Sequence, residues 1–204
     1  MAHLWKGYNK EYYQYEKDFP VGFPWNNSKK EDIPRYEKGE DGYWFDRNAR
    51  DTGRALLSFT GDLMCEPAQC RVHRYGDSYF FHPAFSYARS IFKSSDFAVG
   101  NLETTISDNT PYAGQYHRIA KRYHCNGPES YLDALRYAGY DALVAANNHN
   151  CDSGIMGIID TVEAMDRHGF MRTGIMLGED RAILVKINGI RLGILSYATR
   201  YYGM

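Results

Sequence analysis

Residues 140–169 read YDALVAANNHNCDSGIMGIIDTVEAMDRHG, and this stretch decides the fold. Residues 140–146 are an apolar run of strand length. The run passes directly into a polar cluster, Asn147-Asn148-His149-Asn150-Cys151-Asp152. Ile155, Ile158, Ile159, Val162 and Met165 then recur at helical spacing, and Gly169 closes the segment. A strand, a polar loop and an amphipathic helix in that order are one step of a parallel α/β sheet.

The same order recurs upstream. Residues 55–60 (ALLSFT) read as a buried strand that ends in Gly61-Asp62, and residues 97–100 (FAVG) as a second strand that ends in Asn101-Leu102-Glu103. Helices are expected over residues 82–92, with Pro83 in the first turn, and over residues 128–137, stopped by Gly139. Residues 182–187 and 191–197 pair as a hairpin across Asn188-Gly189. The expected class is α/β, a mostly parallel sheet covered by helices and finished by a hairpin. In such sheets ligands bind beyond the carboxyl ends of the strands, so three scattered clusters become one candidate site.

Composition bounds the alternatives. The 204 residues suffice for one domain with its own core. A net charge of -1 gives no electrostatic case for nucleic acid or an anionic membrane. No apolar run has transmembrane length, and the N-terminus lacks a signal-peptide pattern. Cys65, Cys70, Cys125 and Cys151 show no CxxC spacing. Free thiols in a reducing, cytoplasmic compartment are the expectation, with a Cys65–Cys70 bridge left open. Residues 1–50 form an aromatic-rich N-terminal arm holding all three tryptophans, Trp5, Trp25 and Trp44. Tyr8, Tyr12, Tyr15 and Phe19 fall at helical spacing there. Such rings pack on a following domain or bind a partner or sugar.

Each polar cluster alone has an ordinary explanation. Gly-Asp after a strand is a common turn, and Asp152 or Ser153 could simply cap the next helix. Their joint recurrence after strands points to chemistry. Asp62, Asn101, Glu103, Asn148 and His149 offer a mixed oxygen and nitrogen donor set, which suits Mn, Fe or Zn better than Ca or a thiolate site. Two such metals about 3.5–4 Å apart clamp the attacking and leaving oxygens of phosphoryl transfer.

FTGDLM (from Phe59), DFAVGNLETTIS (from Asp96), the 140–169 stretch and INGIRLGILSYAT (from Ile187) together resemble the bacterial capsule-synthesis CapA, or poly-γ-glutamate biosynthesis, family. The resemblance implies a calcineurin-like metallophosphoesterase fold, with sheet layers flanked by helices, over residues 51–204. It implies two divalent metal ions (Mn, Fe or Zn) in the complete site. Asp62 would be a first-strand metal ligand, and Glu103, with Asn101, would fill the second-strand position. Asn148 resembles the metal-binding Asn of the Gly-Asn-His motif. His149 resembles the adjacent His that assists the leaving oxygen, and Asp152 would orient it.

Two departures stand out. Asn150 and Cys151 occupy positions where the family usually has Thr and an aliphatic residue. The family also continues with His-Trp-Gly and Gly-His-His-Pro-His segments, whereas this sequence stops at Tyr201-Tyr202-Gly203-Met204. The expectation is therefore the N-terminal portion of the domain, a fold incomplete at the C-terminus. His73 and His82 match no family motif. His168 fits a helix-end role. His117 and His124, in HRIAKRYH, are candidates to face an anionic substrate. The implied function is a metal-dependent hydrolase of phosphoester bonds in capsule or poly-γ-glutamate synthesis. The alternative is a non-catalytic assembly component that keeps the fold. A phosphoester or polyglutamate substrate and a homo-oligomer or capsule-synthesis partner are the expected partners. Family members often work at the membrane or cell surface.

Overall fold

A computed structural model describes residues 34–110, 124–175 and 182–199. The elements run β1 (Tyr36–Lys38), β2 (Trp44–Asp46), β3 (Leu57–Thr60), α1 (Pro67–Val72), β4 (Arg74–Tyr75) and β5 (Ser78–Tyr79). They continue as α2 (His82–Phe85), α3 (Arg89–Ser94), β6 (Phe97–Asn101), β7 (Thr105–Ile106), β8 (Asn126–Gly127) and α4 (Ser130–Ala138). Last come β9 (Ala142–Val144), α5 (Gly154–Arg167), β10 (Met171–Thr173), β11 (Ile183–Ile187) and β12 (Ile190–Ile194).

Two four-stranded sheets carry the architecture. The first has the order β10-β9-β6-β3 and is parallel throughout. The second has the order β1-β2-β11-β12, two antiparallel hairpins joined by a parallel β2–β11 pairing. Side-chain alternation along β6 gives the parallel sheet two apolar faces. Ala98 and Leu143 face the helices, with Leu132, Leu135 and Met165. Phe97, Val99, Ala142 and Met171 face the second sheet, with Ile183, Val185 and Ile187. The layers are therefore helices, parallel sheet and mixed sheet. Each fully buried Leu, Ile or Phe in these layers contributes ~1.5–3 kcal/mol.

The hairpin forms as the sequence predicts, with both Asn188 and Gly189 at positive φ. Its second strand stops at Ile194, so Leu195 and Tyr197 lie exposed. The helix expected over residues 82–92 is instead two short helices. Ser86 donates both its N–H (3.2 Å) and its hydroxyl (2.9 Å) to the Pro83 carbonyl, and Ala88 N–H bonds Phe85 O. These three-residue closures replace the four-residue ladder and break the helix. The apolar face of α5 is also rotated from expectation. Ile155 is 73% exposed, while Gly157, Thr161, Val162, Ala164 and Met165 are buried. β10 escapes the sequence reading altogether. Residues 36–46, grouped by composition with the arm, supply two strands of the second sheet. The helix expected over Tyr8 to Phe19 lies outside the described residues. Among the described residues no helix is long and apolar enough to cross a membrane.

Asp141, at the entry to β9, ties the layers together. Its carboxylate accepts from Arg35 Nε (2.9 Å) and Nη2 (2.6 Å) and from Ala98 N–H (2.9 Å). Arg35 Nη1 also reaches Ser95 O at 2.8 Å. Removing the guanidinium strands a buried carboxylate. Arg35→Met is expected to lower unfolding free energy by about 3 kcal/mol in urea titration. A loss below ~1 kcal/mol, the range of an exposed ion pair, would show that the bridge is not a clamp.

Candidate metal centre

The carboxyl ends of β3, β6 and β9 emerge side by side, and backbone bonds continue beyond the strands. Leu63 N–H bonds Asn101 O (2.7 Å), Glu103 N–H bonds Leu63 O (3.2 Å), and Leu102 N–H bonds Val144 O (2.8 Å). Gly100 permits the closeness, since a Cβ there would lie 2.3 Å from Leu63 Cδ1. The segments after the three strands are thereby laced into one surface.

The side chains form a continuous run. Asn101 Nδ2 donates to Asp62 Oδ1 (2.8 Å) and to Glu103 Oε2 (3.2 Å). Asn147 Nδ2 donates to Asn101 Oδ1 (3.1 Å) and to Leu102 O (2.8 Å). Asn147 Oδ1 accepts the His149 N–H at 3.0 Å. His149, 6% exposed, places Nδ1 2.8 Å from Asp152 Oδ2. The same Asp152 oxygen accepts the Cys125 N–H at 2.6 Å. Asn148 sits half-buried between Asn147 and His149 in this turn. The three clusters found by sequence are therefore adjacent in space. Asp152 does not cap α5; its carboxylate goes to the imidazole. Ser153, at the N-cap position, makes no capping bond, and its hydroxyl meets Thr105 Oγ1 at 2.7 Å.

Electrostatics separates the two acids. Burial, reinforced by contact with Asp62, pushes the Glu103 carboxyl up to about 7. The same contact, with Asn101, holds Asp62 below its ordinary value. The proton goes to Glu103 because it is half-buried while Asp62 is exposed. His149 lies close enough to stabilise both carboxylates. Two carboxyl groups in contact need a proton or a cation between them, and hard oxygen donors suit a divalent ion. The residues present fit such an ion.

Cys125, which no spacing in the sequence singles out, is the residue missed. Its ligand atom and those of His149 and Asp152 all lie within 4.8 Å of one another, a grouping that could hold an ion. Burial pushes the Cys125 thiol up to about 12, and the His149 and Asp152 atoms already bond each other. This corner therefore holds the imidazole in place, beside the Asp62–Glu103 pair. His124 adjoins it, with Nε2 3.4 Å from Ser153 Oγ, and burial holds its imidazole below the usual histidine range. His117 lies outside the described residues. His168 ends α5 against Glu129 (3.1 Å) and Asp133 (3.3 Å), which raise its pKa against the opposing effect of burial. His73 and His82 pack on Phe81 and Phe80.

An ion held by Glu103 would compete with its proton below about pH 7. Mn(II) affinity measured by calorimetry is expected to rise about tenfold per pH unit below about 7 and to level off above it. In Asp62→Asn the inflexion moves to lower pH. The apo protein behaves oppositely. The Glu103 pKa is raised on folding from 4.5, so its stabilising effect is full below that value and is lost as pH rises through about 7. Affinity independent of pH would remove Glu103 from the site.

Comparison with known proteins places the chain. The family model described as bacterial capsule synthesis protein PGA_cap matches residues 56–204. The capsule biosynthesis protein CapA of Bacillus anthracis is 27% identical over 160 residues, 74% of this chain and 36% of that protein. The uncharacterized protein y4uA of Sinorhizobium fredii is 32% identical over 151 residues, 71% of this chain and 30% of that protein. The PGA biosynthesis protein CapA of Bacillus subtilis is 25% identical over 144 residues, 69% of this chain and 36% of that protein. The chain spans about a third of the length of these curated relatives. With the family model covering well over half of its residues, the chain belongs to the PGA_cap family of bacterial capsule synthesis proteins.

Proposed function

We propose that this chain supplies one wall of a metal-dependent phosphoester-hydrolase centre, of calcineurin-like type, that works in the synthesis of a capsule polymer such as poly-γ-glutamate. The observation that carries the reading is the unbroken hydrogen-bonded run from Asp62 through Asn101 and Asn147 to His149 and Asp152. The relatives named for capsule and PGA biosynthesis support the polymer setting. A cytoplasmic setting belongs to the same proposal.

Asp62 and Glu103, with Asn101 and Asn148, would hold divalent ions (Mn, Fe or Zn, two in the complete centre), which when bound polarise a phosphoryl oxygen and lower the pKa of water. Glu103 gives up its proton on loading. The Asn101 amide keeps both carboxyls oriented without adding charge. Asp152 Oδ2 already accepts from the Cys125 N–H, so His149 Nδ1 donates to it and carries the ring proton. Nε2 is then the free ring nitrogen, and with a second proton bound there His149 would release that proton to a leaving oxygen. His124, kept uncharged by burial, would meet a substrate phosphate as a hydrogen-bond donor, and His117 is a second candidate.

A non-catalytic assembly component is the second reading. It is favoured by the oxygen-rich surroundings of Asp62 and Glu103, which are bridged by the Asn101 amide rather than by an imidazole. A homo-oligomer or a capsule-synthesis partner would then be what the fold binds.

The full-length protein assayed with an aryl phosphate and Mn(II) separates the two. Asp62→Ala and His149→Ala are each expected to lower kcat/KM by about 10²–10⁴-fold. Tight Mn(II) uptake without turnover selects the second reading. Turnover at wild-type level in both variants would falsify the hydrolase centre.

A further inference from the structure

Two cysteines stand beside the candidate centre without belonging to it. Cys65 follows Asp62 by three residues, and Cys70 lies in α1. Their sulfurs are 3.3 Å apart in the helix-side core, with Cys65 fully buried and Cys70 6% exposed. The backbone enforces the approach. Glu66 caps α1 reciprocally with Gln69, Pro67 opens the helix, and Cys70 N–H bonds Glu66 O at 3.0 Å. Cys70 is thereby turned back onto Cys65. On the other side Gly127 presses on Cys65, where a Cβ would lie 2.7 Å from Cys65 Cβ and 2.9 Å from its sulfur. An S–S bond is ~2.05 Å, so the sulfurs need to close by roughly 1.2 Å.

We propose that Cys65 and Cys70 form a reversible redox-modification site that reacts with peroxides and closes to a disulfide. Cys70, the less deeply buried of the two thiols, attacks the peroxide. The O–O bond breaks, Cys70 becomes a sulfenic acid, and water leaves. Cys65 sulfur then attacks the Cys70 sulfur. The S–S bond forms, the S–O bond breaks, and a second water leaves. Two thiols lose two electrons and one peroxide gains them. A dithiol reductant reverses the step by exchange. The two sulfurs are suited to unequal roles. Contact with Cys65 lowers the Cys70 thiol below its ordinary value, and Arg71 adds to this. The same contact, with burial, holds Cys65 high. Closure ties off residues 65–70, the segment directly downstream of Asp62. The inference stands whether or not the neighbouring carboxylates hold a metal.

The test treats the reduced protein with hydrogen peroxide, alkylates it under denaturing conditions and maps the peptides by mass. The expected product carries Cys65 and Cys70 linked and two hydrogens lighter. The thiol titre falls from four to two, and dithiothreitol restores it. Cys70→Ser is expected to abolish the link, while Cys151→Ser leaves it intact. Both thiols remaining alkylatable, either sulfur gaining oxygen without a link, or a link that includes Cys125 would each overturn the proposal.

Discussion

The Asp141 carboxylate holds the Arg35 guanidinium through both oxygens and the Ala98 N–H through one. Its own N–H bonds Ala98 O, and its carbonyl accepts Met171 N–H. One buried residue therefore indexes the entries of β6, β9 and β10 and the segment leading into β1. Strand register cannot be soft under that restraint. A slip by one residue would turn Phe97 and Val99 toward the helices and Ala98 toward the second sheet, exchanging the two cores. The chemistry at the far end of the strands inherits this precision, because Asp62, Asn101 and Asn147 are each counted from a strand whose start is fixed.

At that far end the groups that assemble the site are amides rather than charges. Asn101 donates to two acids and accepts from Asn147, which in turn holds the backbone of His149. A cation at Asn101 would neutralise the pair and remove the need for a metal. An acid there would add a third negative charge. An amide orients the carboxyls and leaves their charge for a ligand. The result is a Glu103 that holds its proton up to about pH 7, beside an Asp62 that loses its proton well below that.

The parallel sheet, the α5 stretch and the hairpin were legible because long apolar runs and Asn-Gly turns leave periodic or local signals. The convergence of the three clusters was legible for a different reason: parallel strands must deliver their ends to one edge. β10, β1 and β2 were not legible. Each has three residues, too few for a period of two to stand out, and their pairing depends on partners remote in sequence. The break at Ser86 turned on a side-chain hydroxyl competing for one carbonyl, which periodicity does not weigh. Cys125 was hidden for another reason. Its role comes from a backbone N–H aimed at Asp152, and a backbone group has no residue signature.

The second sheet has a consequence for the order in which the chain is made. β2 pairs in parallel with β11, Trp44 beside Val185 and Phe45 beside Lys186. On the ribosome the first hairpin emerges long before its neighbour exists. Its inner residues, Tyr36 and Trp44, have only the unfinished parallel sheet to cover them. Closing so long a loop is entropically costly until that sheet is assembled. The mixed sheet thus locks after the parallel one, and the nascent chain must keep β1 and β2 soluble until β11 has been synthesised.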